Sequence, residues 1–177
     1  MRYNNHNTTK PSIPNGYKIP REPRMQVKKI ENKEDYIDLL LETDPSKDMI
    51  HKYLNDSDVY ALKKGDELIS IAVILPISRK TLELKNIVTT EKYRNKGYAK
   101  TLLKSLCGNY KQKYDRMLVG TTENNIPFYV KQGFDKYEKT IKNFFIDNYN
   151  EEIKDGDLIC TDLIYYSKDL KKKFKDN

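Results

Sequence analysis

Several kinds of residue are scarce in this 177-residue chain, and each scarcity excludes a class of protein. Two cysteines, Cys107 and Cys160, are too few for a disulfide framework and lack metal-type spacing, so we expect buried free thiols. The longest apolar run, 68–77, contains a serine and a proline and is shorter than the about 20 residues that a membrane helix needs. The first residues carry no apolar stretch typical of a secretion signal. We therefore expect a cytoplasmic protein with no membrane association.

Histidine is also rare, because the chain has only His6 and His51. His6 falls in a polar leader, and His51 falls on a predicted helix where no partner is evident. No Gly-x-Ser-x-Gly sequence is present either. We therefore expect neither a metal site nor a Ser-His-Asp triad, and we expect both histidines at the surface.

The charge balance is moderately basic. Lys and Arg number 33 against 26 Asp and Glu, which gives a formal net charge of +7, and hydrophobic residues make up 37% of the chain. That apolar content is enough for one core but not for two. A basic chain suits a phosphate-bearing ligand, and a nucleic-acid-binding module is the alternative. Because no compact basic stripe is interleaved with aromatic residues, we expect no nucleic-acid partner.

The chain divides into three regions. Residues 1–24 are polar and contain four prolines, which predicts a flexible N-terminal extension. Regular hydrophobic patterns begin at Met25, which predicts one domain over 25–170. Residues 171–177 are rich in lysine and predict a basic, solvated C-terminal tail.

Hydrophobic periodicity predicts an alternation of strands and helices in the domain. The apolar positions of 96–113 follow the helical repeat most closely, and this is the most regular predicted helix. Such an order is typical of an α/β (α+β) fold, a mixed and mostly antiparallel sheet with helices packed on it. The predicted strands are 25–30, 58–62, 67–77, 80–89, 117–120, 134–146 and 158–166, and the predicted helices are 34–43, 45–54, 96–113 and 126–132.

A short basic loop joins the predicted strand 80–89 to the predicted helix 96–113. The first turn of a helix has unpaired N–H groups and the positive end of the helix dipole. Gly97 allows a ligand to approach the backbone closely, and Arg94 and Lys96 add positive charge. The loop is therefore a candidate diphosphate cradle, although a basic loop of this kind can also be only a solvated turn. It is neither a G-x-G-x-x-G fingerprint nor a P-loop.

Two sequence blocks resemble motifs of a known family. Arg94-x-x-Gly97-x-Ala99, between an apolar strand and an amphipathic helix, resembles the acyl-CoA signature of the GNAT superfamily of N-acetyltransferases. The block 126–134 resembles a later motif of that family, a short helix with a tyrosine four residues before Gly-Phe. The blocks occur in the expected order, and the resemblance extends from about residue 25 to about residue 167.

The resemblance implies roles for residues of the basic loop, the strand before it and the later helix. Tyr129 would protonate the departing CoA thiolate, although core packing is the alternative for this ring. Asn125 would contact the CoA arm. The backbone groups of Ile87, Val88 and Thr89 would hold the acetyl carbonyl and the pantetheine arm. The diphosphate would be held by the amides of Arg94, Asn95, Lys96, Gly97, Tyr98 and Ala99.

An amine acceptor requires a base. A free amine of the lysine type has a pKa of about 10.4, so a group of the enzyme must remove a proton at neutral pH. Glu83, in the strand that leads into the basic loop, is the candidate, and some members of the family place a catalytic carboxylate there. The alternative for Glu83 is a surface position on one face of the sheet.

These observations predict an N-acetyltransferase that uses acetyl-CoA as co-substrate, without a metal or a covalent enzyme intermediate. We expect direct transfer in a ternary complex to a small-molecule amine, while a protein N-terminus or lysine stays open as acceptor. A non-catalytic acyl-CoA sensor on the same fold is the alternative function. We expect the acceptor pocket at loops 43–54 and 147–156, and a homodimer through the C-terminal strands is compatible with the resemblance.

Overall fold

The computed structural model describes residues 23–172 of the chain. The predicted extension, 1–24, and the predicted tail, 171–177, lie outside this range except for residues 23, 24, 171 and 172. The strands of the described range are β1 (Met25–Ile30), β2 (Asp58–Lys64), β3 (Glu67–Pro76), β4 (Thr81–Thr89), β5 (Arg116–Thr121), β6 (Lys136–Ile141), β7 (Lys154–Asp155), β8 (Leu158–Ile159) and β9 (Leu163–Asp169). The α-helices are α1 (Ile37–Leu40), α2 (Lys47–Leu54), α3 (Tyr98–Tyr110), α4 (Ile126–Lys131) and α5 (Phe144–Asn148).

Within this range, seven strands form one sheet in the order β1-β2-β3-β4-β5-β9-β6. Neighbouring strands are antiparallel except β4 and β5, which are parallel because α3 carries the chain across between them. The strands β7 and β8 form a separate hairpin. These findings confirm the expected α/β (α+β) fold, with a mixed and mostly antiparallel sheet flanked by helices.

Helices cover both faces of the sheet, so its central strands are apolar on both sides. On one face, which we call the α3 face, Leu103 of α3 and Ile74 of β3 belong to the same buried cluster. On the opposite face, the α1–α2 face, Leu54 of α2 and Val73 of β3 belong to a second cluster. The alternation of adjacent β3 residues between the two clusters follows from the two-residue repeat of a strand.

A β-bulge interrupts this alternation in β4. Val73 pairs with Asn86 and Ile74 pairs with Leu84, so Lys85 is an extra residue that has no partner in the β3 register. Before the bulge, Leu84 faces α3. After it, Asn86 faces α1, where its amide donates to a backbone carbonyl at 3.2 Å. The bulge therefore changes which residues of β4 face each side of the sheet in the part of the strand that leads to the basic loop.

The parallel strands β4 and β5 separate along their length. They pair only through Thr81–Leu84 and residues 116–119, while β5 continues its pairing with β9 as far as Thr121. Within the described residues, no pairing of β4 with β5 follows Leu84. The C-terminal half of β4, residues 85–89, therefore has a backbone edge that faces an opening in the sheet.

The region 134–166 differs from the prediction of two long strands. The strand β6 ends at Ile141, and Asn143 adopts a left-handed backbone conformation with φ 55°. Asp162 stabilises this turn, because its carboxylate accepts hydrogen bonds from the Asn143 N–H at 3.0 Å and from Lys142 Nζ at 2.6 Å. The chain then forms α5 and the β7–β8 hairpin before it returns to the sheet as β9. The prediction of one long strand over 134–146 was wrong because the apolar residues at the start of α5 continue the strand-like pattern of the sequence.

Smaller differences concern the helix boundaries. The predicted helix 34–43 is a 3-10 turn at Lys33–Tyr36 followed by the short α1. The predicted helix 96–113 begins at Tyr98, because the preceding glycine is left-handed, and it ends at Tyr110. His51 does have a partner, contrary to expectation, since its Nε2 lies 3.3 Å from a carboxylate oxygen of Glu34. The two cysteines are buried and free, as expected.

The packing of α3 against the sheet gives a first testable prediction. Leu106 is fully buried in the α3-face cluster, so Leu106→Ala removes apolar contacts and leaves a cavity. We expect this substitution to lower the free energy of unfolding by about 2–5 kcal/mol, measured by urea denaturation. The control is Asn109→Ala on the exposed side of the same helix, which we expect to change it by less than about 0.5 kcal/mol. Equal effects of the two substitutions would contradict the described packing.

Candidate active site

The basic loop ends in a backbone arrangement that leaves donors unpaired. Asn95 and Gly97 both have positive φ, at 59° and 79°, and Gly97 is the N-cap residue of α3. The first intrahelical bond joins the Thr101 N–H to the Gly97 carbonyl at 3.0 Å, and no side chain caps the helix. The N–H groups of residues 98–100 therefore point out of the helix end without an intrahelical acceptor. A Cβ built on Gly97 would meet no atom within 4 Å, so this backbone faces open space.

The charged side chains of the loop fold back onto the protein. Arg94 donates from Nε to the Thr89 carbonyl at 3.1 Å and forms an ion pair with Glu42. Lys96 donates to the Lys92 carbonyl at 3.0 Å. These contacts keep both positive groups beside the helix N-terminus, where they add to the field of the α3 dipole. Arg94 also connects the loop to the residues that follow α1.

The predicted backbone-binding residues occupy the open edge of β4. Ile87, Val88 and Thr89 pair with β3 on one side, through 70–72. On the other side lies the opening between β4 and β5. An extended ligand arm in this opening would therefore lie parallel to a strand edge and reach its backbone donors and acceptors.

Tyr129 lies in α4, on the α3 face of the sheet. Its half-buried ring packs against the α3-face cluster, with edge contacts to Phe128 and Phe134 at centroid distances of 5.0 and 5.8 Å. Its hydroxyl forms no hydrogen bond with any residue between 23 and 172. Burial raises the pKa of Tyr129 to about 12. A packing role and a catalytic role of Tyr129 are therefore compatible. The ring packs against the core, while the hydroxyl has no hydrogen-bond partner among the described residues.

Glu83 lies on β4, on the α1–α2 face, and is buried rather than at the surface. Its Oε1 accepts hydrogen bonds from Lys85 Nζ at 2.9 Å and from the Tyr165 hydroxyl at 3.1 Å. Tyr165 belongs to β9, so its ring must extend past β5 to reach this carboxylate. Gly120 of β5 allows this, because a Cβ at that position would lie 3.1 Å from the Tyr165 Cζ atom. The carboxylate is therefore held in a fixed orientation by two donors.

The two predicted catalytic side chains lie on opposite faces of the sheet. Ile87 and Tyr129 pack on the α3-face cluster, whereas Glu83 follows Leu82 and precedes Leu84, which face that cluster. In the described part of the chain, the two faces of the sheet are connected beside these residues only through the opening between β4 and β5. The arrangement suits a reaction in which one reactant enters from each face and the two meet in the opening.

Asn125 precedes α4 and has protein partners. Its Nδ2 donates to Asp155 at 2.7 Å and to the Thr122 hydroxyl at 3.1 Å. These bonds join the start of α4 to the β7–β8 hairpin. The predicted contact of Asn125 with the CoA arm stays a prediction. Because Nδ2 is already hydrogen-bonded, the side-chain carbonyl oxygen is the atom available for this contact.

Sequence reasoning missed a set of polar residues near Glu83. Asp44 follows α1 and accepts hydrogen bonds from Tyr53 at 3.3 Å and from Tyr149 at 3.0 Å. Burial raises the pKa of the Asp44 carboxyl and those of both phenols. Lys85 lies 5.3 Å from the centre of the Tyr53 ring. No sequence motif marks these residues; the available signal was that Asp44 and Tyr149 fall in the two loops expected to line the acceptor pocket.

Two cavities are relevant to these residues. One, of about 620 Å³, lies between the segment after α1 and the segment after α5, and its lining includes Thr43, Ser46 and Tyr149. The other, of about 780 Å³, lies at the start of β5 and the end of β9, which is the end of the sheet opposite the basic loop. The first cavity is lined by parts of the two loops predicted for the acceptor, 43–54 and 147–156, and by no residue of β4, the basic loop or α4.

Comparisons with known proteins agree with this geometry. The model of the acetyltransferase (GNAT) family matches residues 24–134. A curated protein of Bacillus subtilis (strain 168), named uncharacterized N-acetyltransferase YvbK, is 32% identical to this chain over 144 residues. That alignment covers 79% of this chain and 92% of YvbK.

Solved structures with coenzyme show the same fold. A GNAT family acetyltransferase from Elizabethkingia anophelis, with acetyl-CoA bound, is 34% identical with a TM-score of 0.75, and the match covers 82% of this chain and 97% of that one. A Bacillus subtilis acetyltransferase in complex with CoA is 29% identical with a TM-score of 0.71, and the match covers 82% of this chain and 99% of that one. The fold and these relatives define an N-acetyltransferase. The chain belongs to the GNAT acetyltransferase family.

Two further properties of the described residues, 23–172, bear on the chemistry. No helix among them is both long and apolar enough to span a membrane. No group of three or more His, Cys, Asp and Glu side chains among them is arranged to hold a metal ion.

The backbone at Gly97 gives the second prediction. Gly97→Ala places a side chain at a left-handed position that faces the predicted diphosphate site, so both strain and bulk oppose binding. We expect the Kd for CoA, measured by calorimetry, to rise about tenfold or more. Gly108→Ala on the same helix is the matched control, since it has space for a Cβ and no positive φ. An unchanged Kd in Gly97→Ala would contradict the assigned diphosphate site.

Proposed function

We propose that this acetyltransferase transfers the acetyl group of acetyl-CoA directly to the amine of a small molecule while both substrates are bound. The observation that carries the proposal is the opening between β4 and β5, with a protonated phenol on one face and a carboxylate on the other. The cavity of about 620 Å³ on the carboxylate side has the size of a small-molecule site. The coenzyme enters from the α3 face and the acceptor from the α1–α2 face.

The coenzyme is held mainly by backbone groups. The amides of residues 95–99 bind the diphosphate at the N-terminus of α3, with the side chains of Arg94 and Lys96 adding positive charge. The Arg94 N–H, which is predicted among these donors from the sequence, instead donates to the Glu91 carbonyl at 3.1 Å. The pantetheine arm lies along the open edge of β4, where Ile87, Val88 and Thr89 orient it and the acetyl carbonyl. Asn125, at the start of α4, contacts the same arm. Binding by backbone groups fixes the thioester in the opening with little reorganisation of side chains.

Glu83 accepts the proton of the acceptor amine, directly or through a water molecule. The amine must be neutral to attack the thioester carbon, and an alkyl ammonium group remains protonated at neutral pH. The bonds from Lys85 and Tyr165 occupy Oε1, which leaves Oε2 of the carboxylate for the substrate. Glu83 is therefore oriented before the acceptor arrives.

Tyr129 protonates the departing sulfur. Attack of the amine gives a tetrahedral centre, and its collapse breaks the carbon–sulfur bond and releases CoA as a thiolate. With a pKa of about 12, the Tyr129 phenol remains protonated at neutral pH, and the O–H can donate to the sulfur.

Direct transfer is also supported by the state of the cysteines. Cys107 and Cys160 are buried, and burial raises the pKa of both thiols, so neither is an accessible thiolate at neutral pH. An acetyl-cysteine intermediate would require such a thiolate. The state of the cysteines therefore supports transfer without an acetyl-cysteine intermediate.

The role of Tyr129 gives the third prediction. Tyr129→Phe keeps the packing of the ring and removes the proton, so we expect kcat for thiol release to fall about 100-fold or more. We expect the Kd for CoA to change by less than about threefold. Tyr137→Phe, which removes a hydroxyl from an exposed ring on β6, is the matched control. In the wild type, kcat should show no fall between pH 8 and about 11, because the active form of Tyr129 is protonated and is lost only above its raised pKa.

Two outcomes would contradict this role. A Tyr129→Phe variant with unchanged kcat would exclude Tyr129 as the acid. Coenzyme binding by the wild type without thiol release, across a broad panel of amines, would instead favour a non-catalytic acyl-CoA sensor.

The role of Glu83 gives the fourth prediction. Glu83→Gln keeps an oxygen acceptor for Tyr165 but cannot take a proton. We expect kcat/KM for the amine to fall about 100-fold at pH 7 and to recover partly as the pH rises toward 10, because more of the amine is then neutral. A defect that is the same at both pH values would indicate a structural role for Glu83 instead.

A further inference from the structure

We propose that the acceptor is a small amine with a second positive charge, and that Asp44 binds this second charge while Glu83 faces the reacting amine. This inference rests on the proposed function and specifies its substrate class. Asp44 acts here as a specificity-determining residue, and the reacting atoms lie at Glu83 and Tyr129.

The cavity beside Asp44 has an acidic lining on a basic protein. Four carboxylates line it, those of Glu42, Asp48, Glu151 and Glu152, against two lysines, Lys47 and Lys154. Lys154 pairs with Glu152 at 3.1 Å and Arg94 pairs with Glu42, so among the described residues Asp48 and Glu151 are the lining carboxylates without an ion pair, against Lys47. The whole chain carries a net charge of +7. Local negative charge on a positive protein attracts cations and disfavours an anionic acceptor at this place.

Asp44 lies under this cavity between the two neighbours that line it, Thr43 and Pro45. Its hydrogen-bond donors are neutral: the Tyr149 hydroxyl at 3.0 Å, the Tyr53 hydroxyl at 3.3 Å and the Ser46 N–H at 3.4 Å. Despite these three donors, burial raises the pKa of the Asp44 carboxyl. A half-buried carboxylate whose loss of hydration is not offset by its neighbours gains most from a bound cation.

Lys85 separates Asp44 from Glu83 and does not take the place of such a cation. Its Nζ donates to Glu83 at 2.9 Å and lies 5.3 Å from the centre of the Tyr53 ring. Tyr53 in turn donates to Asp44. Glu83 and Asp44 thus belong to one chain of contacts on the α1–α2 face. Lys85 is hydrogen-bonded to Glu83 alone, while its charge acts on Asp44 from farther away and does not cancel the effect of burial on the Asp44 pKa, which stays raised. A substrate with two positive groups complements this pair, and a monoamine leaves Asp44 without one.

One aromatic ring of the lining, that of Tyr149, provides a surface for the part of the substrate between its charges. This ring packs against Phe145 with a centroid distance of 5.6 Å and against Phe144 at 6.3 Å, so it is held in place. Aromatic faces bind methylene groups and also attract ammonium groups. The Tyr149 ring therefore suits the methylene groups of an aliphatic diamine.

The test compares two acceptors of nearly the same shape, 1-aminobutane and 1,4-diaminobutane. With acetyl-CoA saturating, we expect the wild-type kcat/KM, measured by thiol release, to be about tenfold or more higher for the diamine, through a lower KM. Asp44→Asn keeps the size of the side chain and an oxygen acceptor for Tyr149, but it removes the charge. We expect this variant to lose the advantage of the diamine, so that its kcat/KM values for the two amines become about equal.

Two further variants separate charge from structure. Tyr149→Phe removes a hydrogen bond to Asp44 but keeps the carboxylate, so we expect the preference for the diamine to persist. The rim variant Asp48→Asn with Glu151→Gln changes only exposed side chains, so we expect it to fold normally and to reduce the preference by a smaller factor. Thermal unfolding of each variant reports any loss of structure.

The failures of the two proposals are distinguishable. Equal kcat/KM values for both amines in the wild type, or an unchanged preference in Asp44→Asn, would overturn the inference and leave the proposed function standing. Calorimetric titration of 1,4-diaminobutane into the protein saturated with CoA requires no turnover. If the diamine binds in this titration, Asp44→Asn weakens the binding, and the kinetic assay with acetyl-CoA shows no thiol release, the inference is supported and the proposed function is overturned. If the diamine neither binds nor is acetylated, both are overturned.

Discussion

The candidate active site depends on the separation of β4 from β5 after Leu84. Parallel strands normally continue their hydrogen bonding along a shared length, and here β5 keeps its pairing with β9 while β4 continues with β3 alone. The bulge at Lys85 occurs at the same point and reverses the direction of the β4 side chains that follow. The strand β4 therefore places buried residues in the α3-face cluster, the Glu83 carboxylate on the α1–α2 face, and a backbone edge at the opening.

The sequence predicted the part of this architecture that depends on local patterns. The helical repeat of α3, the strand before it and the motif at Arg94, Gly97 and Ala99 identified the basic loop, and the family that these residues indicated is confirmed. The fold class followed from the same order of elements. The roles of Glu83, Tyr129 and the backbone groups stay predictions, but their surroundings are informative: Glu83 is buried and doubly bonded, and Tyr129 is fixed by its ring and not by its hydroxyl.

What the sequence could not predict depends on contacts between distant segments. Asp44 and Tyr149 are 105 residues apart, and only the folded chain brings their side chains to 3.0 Å. Tyr165 reaches Glu83 across β5 because residue 120 is a glycine, a relation that no periodicity records. The break after Ile141 depends on Asp162, twenty residues after the lysine that it binds, so the alternating pattern of 134–146 favoured one long strand over the observed strand and helix.

The segment from Lys142 to Asp162 is hydrogen-bonded to the rest of the domain at two places that lie on the two sides of the candidate site. At one, Tyr149 bonds to Asp44 beside the acidic cavity, and at the other, Asp155 bonds to Thr122 and Asn125 just before the helix that carries Tyr129. Tyr149 and Asp155 are only six positions apart along the chain. A few peptide units therefore link the segment after α1 to the start of α4, and we expect the positions of these two segments to be coupled.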